Sequence, residues 1–169
     1  MKIIFPFLSF WIIPLMSFSQ ISGVFTKDKY DVFYLNEKKL VSPNLNNLEW
    51  MFDLSEGKWK SDMESKFEYS DKGFEEGCPY FSSGSRFGAE GYSYSIIKCP
   101  DKISILWRHA KERGSLLDNI IDELEPYKTT IEKIDKGFIY SFSKDGYSFR
   151  ILVARESEFE FVVFSKYHL

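Results

Sequence analysis

The residues best equipped for chemistry are few. Cys78 and Cys99 are the only cysteines, and His109 and His168 the only histidines. Two cysteines can form a bridge, stay as separately buried thiols, or ligate a metal. An even count in an exported chain favours the bridge. Zinc needs closely spaced pairs of ligands, and the chain has no Cys-x-x-Cys or His-x-x-x-His, so no metal site and no cofactor are expected. His109 sits in the run Arg108-His109-Ala110-Lys111-Glu112-Arg113. A titrating imidazole among cations ahead of a helix could hold an anion. The competing account is a solvated turn at a strand end.

Acid pairs occur at Glu75-Glu76 and around Asp62 and Glu64. Glycoside hydrolysis needs two carboxylates at a set separation across a cleft, which spacing along a chain does not define. No Gly-x-Ser-x-Gly, His-Glu-x-x-His or phosphate-binding loop occurs. The aromatic residues Tyr80, Phe81, Phe87, Tyr92 and Tyr94 are a candidate interface, since aromatics give large contact area at low entropic cost. The alternative is that they belong to the core of a sheet. The candidate binding set is therefore Tyr80, Phe81, Phe87, Arg108 and His109, with no catalytic residue assigned.

Elements must position these residues. The chain opens with Lys2 and an apolar run from Ile3 to Met16, broken by Pro6 and Pro14, and then Ser17-Phe18-Ser19. That is the pattern of a signal peptide over residues 1–19, cleaved before Gln20. The run is too short for a membrane anchor, which needs about 20 apolar residues. A periplasmic or extracellular location follows, with no membrane span after cleavage. Removing the leader takes away one lysine and no acid, moving the net charge from -3 to -4. A surface of that sign does not suit nucleic acid.

The chain of 169 residues carries 17 Phe, 10 Tyr and 4 Trp, a composition that favours sheet. Residues 20–29 read as an extended arm, Tyr30–Leu35 as a strand and 36–39 as a polar turn. Ser42-Pro43 opens a helix over 43–54, with Leu45, Leu48, Met51 and Phe52 as its apolar stripe, ended by Gly57. Residues 61–91 are the least regular stretch. Alternation then predicts a hairpin with one wet side, Tyr92, Tyr94 and Ile96 opposing Ile103, Ile105 and Trp107. Ser115 caps a second helix that stops at Pro126. A strand at 128–134 follows. Beyond it, Phe138, Tyr140 and Phe142 alternate, Asp145-Gly146 turns the chain, and Phe149, Ile151 and Val153 alternate again. Phe161 and Val163 are expected inside on the last strand, with Glu160 outside.

The expected fold is α+β: one domain over residues 20–169, an antiparallel sheet with two helices on one face. Asp71-Lys72-Gly73-Phe74 recurs as Asp135-Lys136-Gly137-Phe138, and Gly91-Tyr92-Ser93-Tyr94 is echoed by Gly146-Tyr147-Ser148-Phe149. These echoes read either as a duplicated helix-plus-three-strand unit, with halves 43–109 and 114–169, or as coincidence between turns. The tandem order of helix then strands resembles the duplicated architecture of the β-lactamase-inhibitory proteins. It does so in element order alone, so no residue role is carried across. The functional expectation is a non-enzymatic module that binds another protein, of inhibitor or immunity type. The alternative is a small secreted hydrolase using carboxylates or His109.

Overall fold

The computed structural model describes residues 31–35, 37–84, 93–108, 118–156 and 159–169. The leader 1–19, the arm 20–29, Tyr92, Phe87, His109 and Ser115 lie outside these residues. The chain first forms a hairpin of β1 (Val32–Leu35) and β2 (Lys38–Val41). Part of the expected polar turn at 36–39 is therefore strand. The reversal is tight, with Glu37 at φ 67°. Helix α1 (Leu45–Asp53) starts two residues later than Ser42-Pro43 suggested. Its cap is Asn44, whose Oδ1 accepts the Asn47 N–H at 2.8 Å.

Gly57 does not end the helical region. It lies inside α2 (Glu56–Lys66), capped by Ser55. The stretch expected to be irregular holds most of this helix and two strands, β3 (Asp71–Glu75) and β4 (Cys78–Gly84). Strands β5 (Ser93–Lys98) and β6 (Ile103–Arg108) follow. Helix α3 (Asp118–Glu123) comes next, then β7 (Thr130–Ile134), β8 (Gly137–Lys144), β9 (Tyr147–Arg155) and β10 (Phe159–His168). The α+β class with an antiparallel sheet is as the sequence indicated. The described residues contain three helices, and each half contributes four strands to the main sheet.

That sheet has eight strands in the order β3-β4-β5-β6-β10-β9-β8-β7. Two meanders meet at the central β6–β10 pair, and their registers match. Phe81, Ile96 and Ile105 lie side by side in the first half, as Tyr140, Ile151 and Phe164 do in the second. At the seam Ile105 pairs with Val162 and Ile103 with Phe164. The arrangement is a pseudo-two-fold about that seam. Only one sequence echo follows it: Tyr94 and Phe149 are equivalent, whereas Phe74 is equivalent to Lys133 and not to Phe138.

The helices α1 and α2 meet one face of the sheet through their described contacts. Trp59 of α2 stands edge-on to Phe81 at 5.3 Å, and Phe52 of α1 edge-on to Phe164 at 5.8 Å. Leu48, Met51, Trp59 and Met63 are fully buried there with Tyr94, Ile96, Ile105 and Trp107. The Tyr94 hydroxyl donates to the Val41 carbonyl at 2.9 Å, fastening the β1–β2 hairpin to this core. The last turn of α1 has carbonyls that no helical N–H can reach. Lys98 satisfies two of them, donating to Met51 O at 2.7 Å and Phe52 O at 3.0 Å.

The last strand is turned over relative to expectation. Val162 and Phe164 are fully buried on the helix-facing side, while Phe161 and Val163 are half-buried on the other. Glu160 is inside, only 4% exposed, held 3.3 Å from Arg155 Nε. The run from Phe161 to Phe164 is apolar in both parities, so alternation alone leaves the face open; the register with Ile151 and Val153 decides it. The other face of the first hairpin is also drier than expected. Ser93 and Ser95 are buried, and the Ser95 hydroxyl donates to that of Ser82 at 3.1 Å.

Candidate binding cleft

The expected aromatic site does not assemble. Tyr80 and Phe81 are neighbours on β4 and so point to opposite faces. Phe81 is buried against Trp59 and Tyr69. Tyr80 lies on the other face, its ring against Gly73 and its hydroxyl donating to Asp71 at 3.0 Å. Arg108 ends β6 with its guanidinium 5.6 Å from the Phe159 ring. Phe87 and His109 lie outside the described residues. Cys78 and Cys99 are bonded, with Cα atoms 5.0 Å apart. Continuing the Tyr80–Ile97 ladder by two residues makes these cysteines direct partners, so the bridge closes the open end of a strand pair.

The acids divide among structural tasks. Burial alone would raise the Asp62 carboxyl, but hydrogen bonds and charge from Lys58 and Lys66 lower it overall. Lys58 Nζ is 2.8 Å and Lys66 Nζ 3.3 Å from it. Glu123 of α3 accepts the Leu45 N–H at 2.6 Å, at the positive end of α1. Burial, with Asp31 adding to it, nevertheless raises its carboxyl, against the lowering effect of that hydrogen bond. Asp31 takes the Asn44 amide at 2.5 Å, so these two acids knit β1, α1 and α3 together. Burial also pulls the Lys98 ammonium down to about 8, with Asp53 and Glu56 acting the other way. Among the described residues no group of three or more His, Cys, Asp and Glu is placed to hold a metal.

What the sequence did not single out is a cleft of about 490 Å³ at the far end of the second half. Its floor is Phe138, Tyr140 and Val153, from β8 and β9; Ile121 of α3 forms one wall. Lys133, Lys136 and Arg155 stand at the rim with Asp135 and Glu156. Lys136 is held by Glu156 at 2.6 Å. Beside the cleft, Ile131 of the edge strand β7 neighbours Tyr140 and is 58% exposed; Phe138 is 42% exposed. Both lie on the helix-facing parity of the sheet; Phe138 is exposed where its first-half counterpart Pro79 is buried, whereas Ile131 is exposed as its counterpart Lys72 is. The chain carries no motif for this: Ile131 and Phe138 read as ordinary strand residues, and only their exposure distinguishes them.

The arrangement offers an apolar floor, a mixed-charge rim and an edge strand. Among the described residues it brings together no nucleophile, base and orienting group of the kind acyl transfer needs. A smaller hollow of about 340 Å³ lies between α2 and the β3–β4 pair, lined by Met63, Phe67, Tyr69 and Phe81. The ion pair of Glu64 with Lys72, at 2.6 Å, lies beside it. Among the described residues, no helix is long and apolar enough to cross a membrane. No protein-family model matches the chain, and neither a curated protein nor a solved structure matches it significantly.

Proposed function

We propose that this is an exported, non-enzymatic protein-binding module, of inhibitor or immunity type, acting in the periplasm or outside the cell. The observation that carries the reading is the uncovered apolar pair Ile131 and Phe138 beside the β7–β9 cleft. Large exposed apolar residues grouped at a rimmed hollow are what a protein-recognition surface needs. The Cys78–Cys99 bond supports export, because such bonds persist in oxidising compartments. The binding surface moves from Tyr80, Phe81 and Phe87 to Phe138, Tyr140 and Ile131, since Phe81 is spent on the core.

The test is a photoreactive benzoylphenylalanine installed at Phe138 in cells that secrete the protein. Irradiation is expected to give one discrete crosslinked protein species, absent when the same group replaces the exposed Glu76 on the opposite edge hairpin. Equal crosslinking from both positions, or none from Phe138, overturns the reading.

A further inference from the structure

We propose that the binding partner adds an extended segment to β7 as a further, antiparallel strand, reading acid, base, apolar residue along its chain. This rests on the reading of the cleft as the binding surface, because Lys133 of β7 is the ladder partner of Phe138. β7 is one edge of the main sheet, and every residue of it except Ile134 is exposed. The turn into β8 holds only Asp135 and Lys136, so the closing pair Ile134–Gly137 must exchange both of its hydrogen bonds. The bonding then alternates along the ladder. Thr130 and Glu132 bond inward to β8, and the N–H and C=O groups of Ile131 and Lys133 point outward from the sheet. Among the described residues these outward groups have no backbone partner. Main-chain bonds of this kind are what strand addition uses for affinity, with alternate side chains giving specificity.

The opposite edge has the same geometry and a poorer sequence. In β3 the outward-bonding residues are Lys72 and Phe74, whose side chains meet Glu64 and Lys60 of α2. Gly73 lies between them and weakens the strand, and Asp71 and Glu75 put a charge at each end. β7 instead carries Thr130, Ile131 and Ile134, branched residues that suit a sheet. Its two charges then select the occupant. In an antiparallel pair, directly opposed residues share a face and interact. Lys133 therefore takes an acid and Ile131 an apolar residue on the helix-facing side, while Glu132 takes a base on the other side. A second copy of β7 is the poorer fit. Two-fold symmetry sets one residue of the strand against its own copy, and at Glu132 or Lys133 that opposes like charges. At any other position of β7 it sets Lys133 against a residue outside the strand.

The probe is a linear fluorescent peptide with valine, glutamate, arginine, isoleucine and threonine at its centre, titrated by anisotropy against the secreted protein. The backbone nitrogens of its glutamate and isoleucine face β7, and methylating either is expected to weaken binding at least about tenfold. The arginine nitrogen faces away, and methylating it should change binding by no more than about twofold. Lys133→Glu should weaken the peptide too, and a peptide with lysine in place of its glutamate should recover the loss. Ile131→Pro removes one outward N–H and no β7–β8 bond, and should abolish binding that Ile131→Val retains. Thermal melts check that these variants fold, and the methylated peptides test the same bonds on the unaltered protein. No binding of the parent peptide, or an equal effect of all three methylations, overturns the proposal. So does a dimer of this chain that Ile131→Pro dissolves, because the edge is then filled by a second copy. Partner crosslinking from Phe138 separates the two levels: a crosslink that survives Ile131→Pro sinks the strand and keeps the surface, while no crosslinked protein sinks both.

Discussion

The two ends of the sheet are built on one register and finished differently. At the β3–β4 end, Trp59 of α2 packs on Phe81, and Glu64 pairs with Lys72, which itself stays exposed. At the β7–β8 end the equivalent row, Ile131 and Tyr140, is flanked by a cleft. The end of the β4–β5 pair is locked by the disulfide. The same position in the second half is Gly137 opposite Ala154, where the strands come so close that a Cβ on Gly137 would meet the Val153 carbonyl oxygen at 2.0 Å. One end is thus tied by a covalent bond and the other by a close approach of two backbones, and the edge strand of each stays exposed.

The largest expected effect tests that asymmetry directly. Trp59 is fully buried and Phe138 is exposed, although both serve the helix-facing side of an edge pair. Trp59→Ala should cost about 3–5 kcal/mol in urea unfolding, the range for deleting a buried aromatic. Phe138→Ala should cost no more than about 0.5 kcal/mol, as surface changes do. Comparable losses would mean that the second end is as closed as the first.

Next in size is the crosslink. Cys78 and Cys99 are 21 residues apart, and closing a loop of that length stabilises by roughly 3 kcal/mol through the unfolded chain. Reduction should lower the melting temperature while partner crosslinking from Phe138, measured below that temperature, stays unchanged. The counterpart is Gly137→Ala, which forces two backbones apart and should cost about 1–3 kcal/mol as overpacking does. It should also weaken partner crosslinking from Phe138, because Gly137 and Phe138 belong to the cleft. A reduced protein that loses the Phe138 crosslink would show that the two ends communicate, against the separation drawn here.

Much of this was legible in the sequence, and the failures have specific causes. The disulfide, the Asp145-Gly146 turn and the β8–β9 alternation were readable because local chemistry decides them. Asp145 at φ 52° and Gly146 at φ 80° adopt the backbone that a tight hairpin requires. Helix α2 was hidden because its buried side is narrow, only Trp59, Met63 and the charged Asp62, and because Gly57 looks like a terminator. Strand β10 was read on the wrong face because Glu160 is buried beside Arg155, which no single-strand pattern reveals. The cleft was illegible for a different reason. It is a hollow between residues of α3, β8, β9 and the β7–β8 turn, which no spacing along the chain brings together.

The smallest effect concerns the two acids that anchor the helices, which should respond to acid with opposite signs. Asp62 in α2 is lowered below its ordinary value by Lys58 and Lys66. The unfolded chain therefore takes up its proton first, so Asp62 adds stability above the ordinary carboxyl range and loses it as pH falls. Glu123 is raised, by burial first and by Asp31 beyond it. Here the folded chain takes up the proton first, so the fold gains from protonation as pH falls through the raised value toward the ordinary one. Asp62→Asn should accordingly flatten the acid loss of stability, most visibly below about pH 4. Glu123→Gln keeps an acceptor for the Leu45 N–H, removes the charge beside Asp31, and should be neutral or stabilising by about 0.5 kcal/mol at pH 7. That advantage should shrink as pH falls to 4, where the wild-type carboxyl is itself gaining a proton. Urea midpoints of both variants against the wild type from about pH 3 to pH 7 provide the measurement. A Glu123→Gln loss that is constant across the series would make the carboxylate a simple helix-end anchor and remove the contrast between the two anchoring acids.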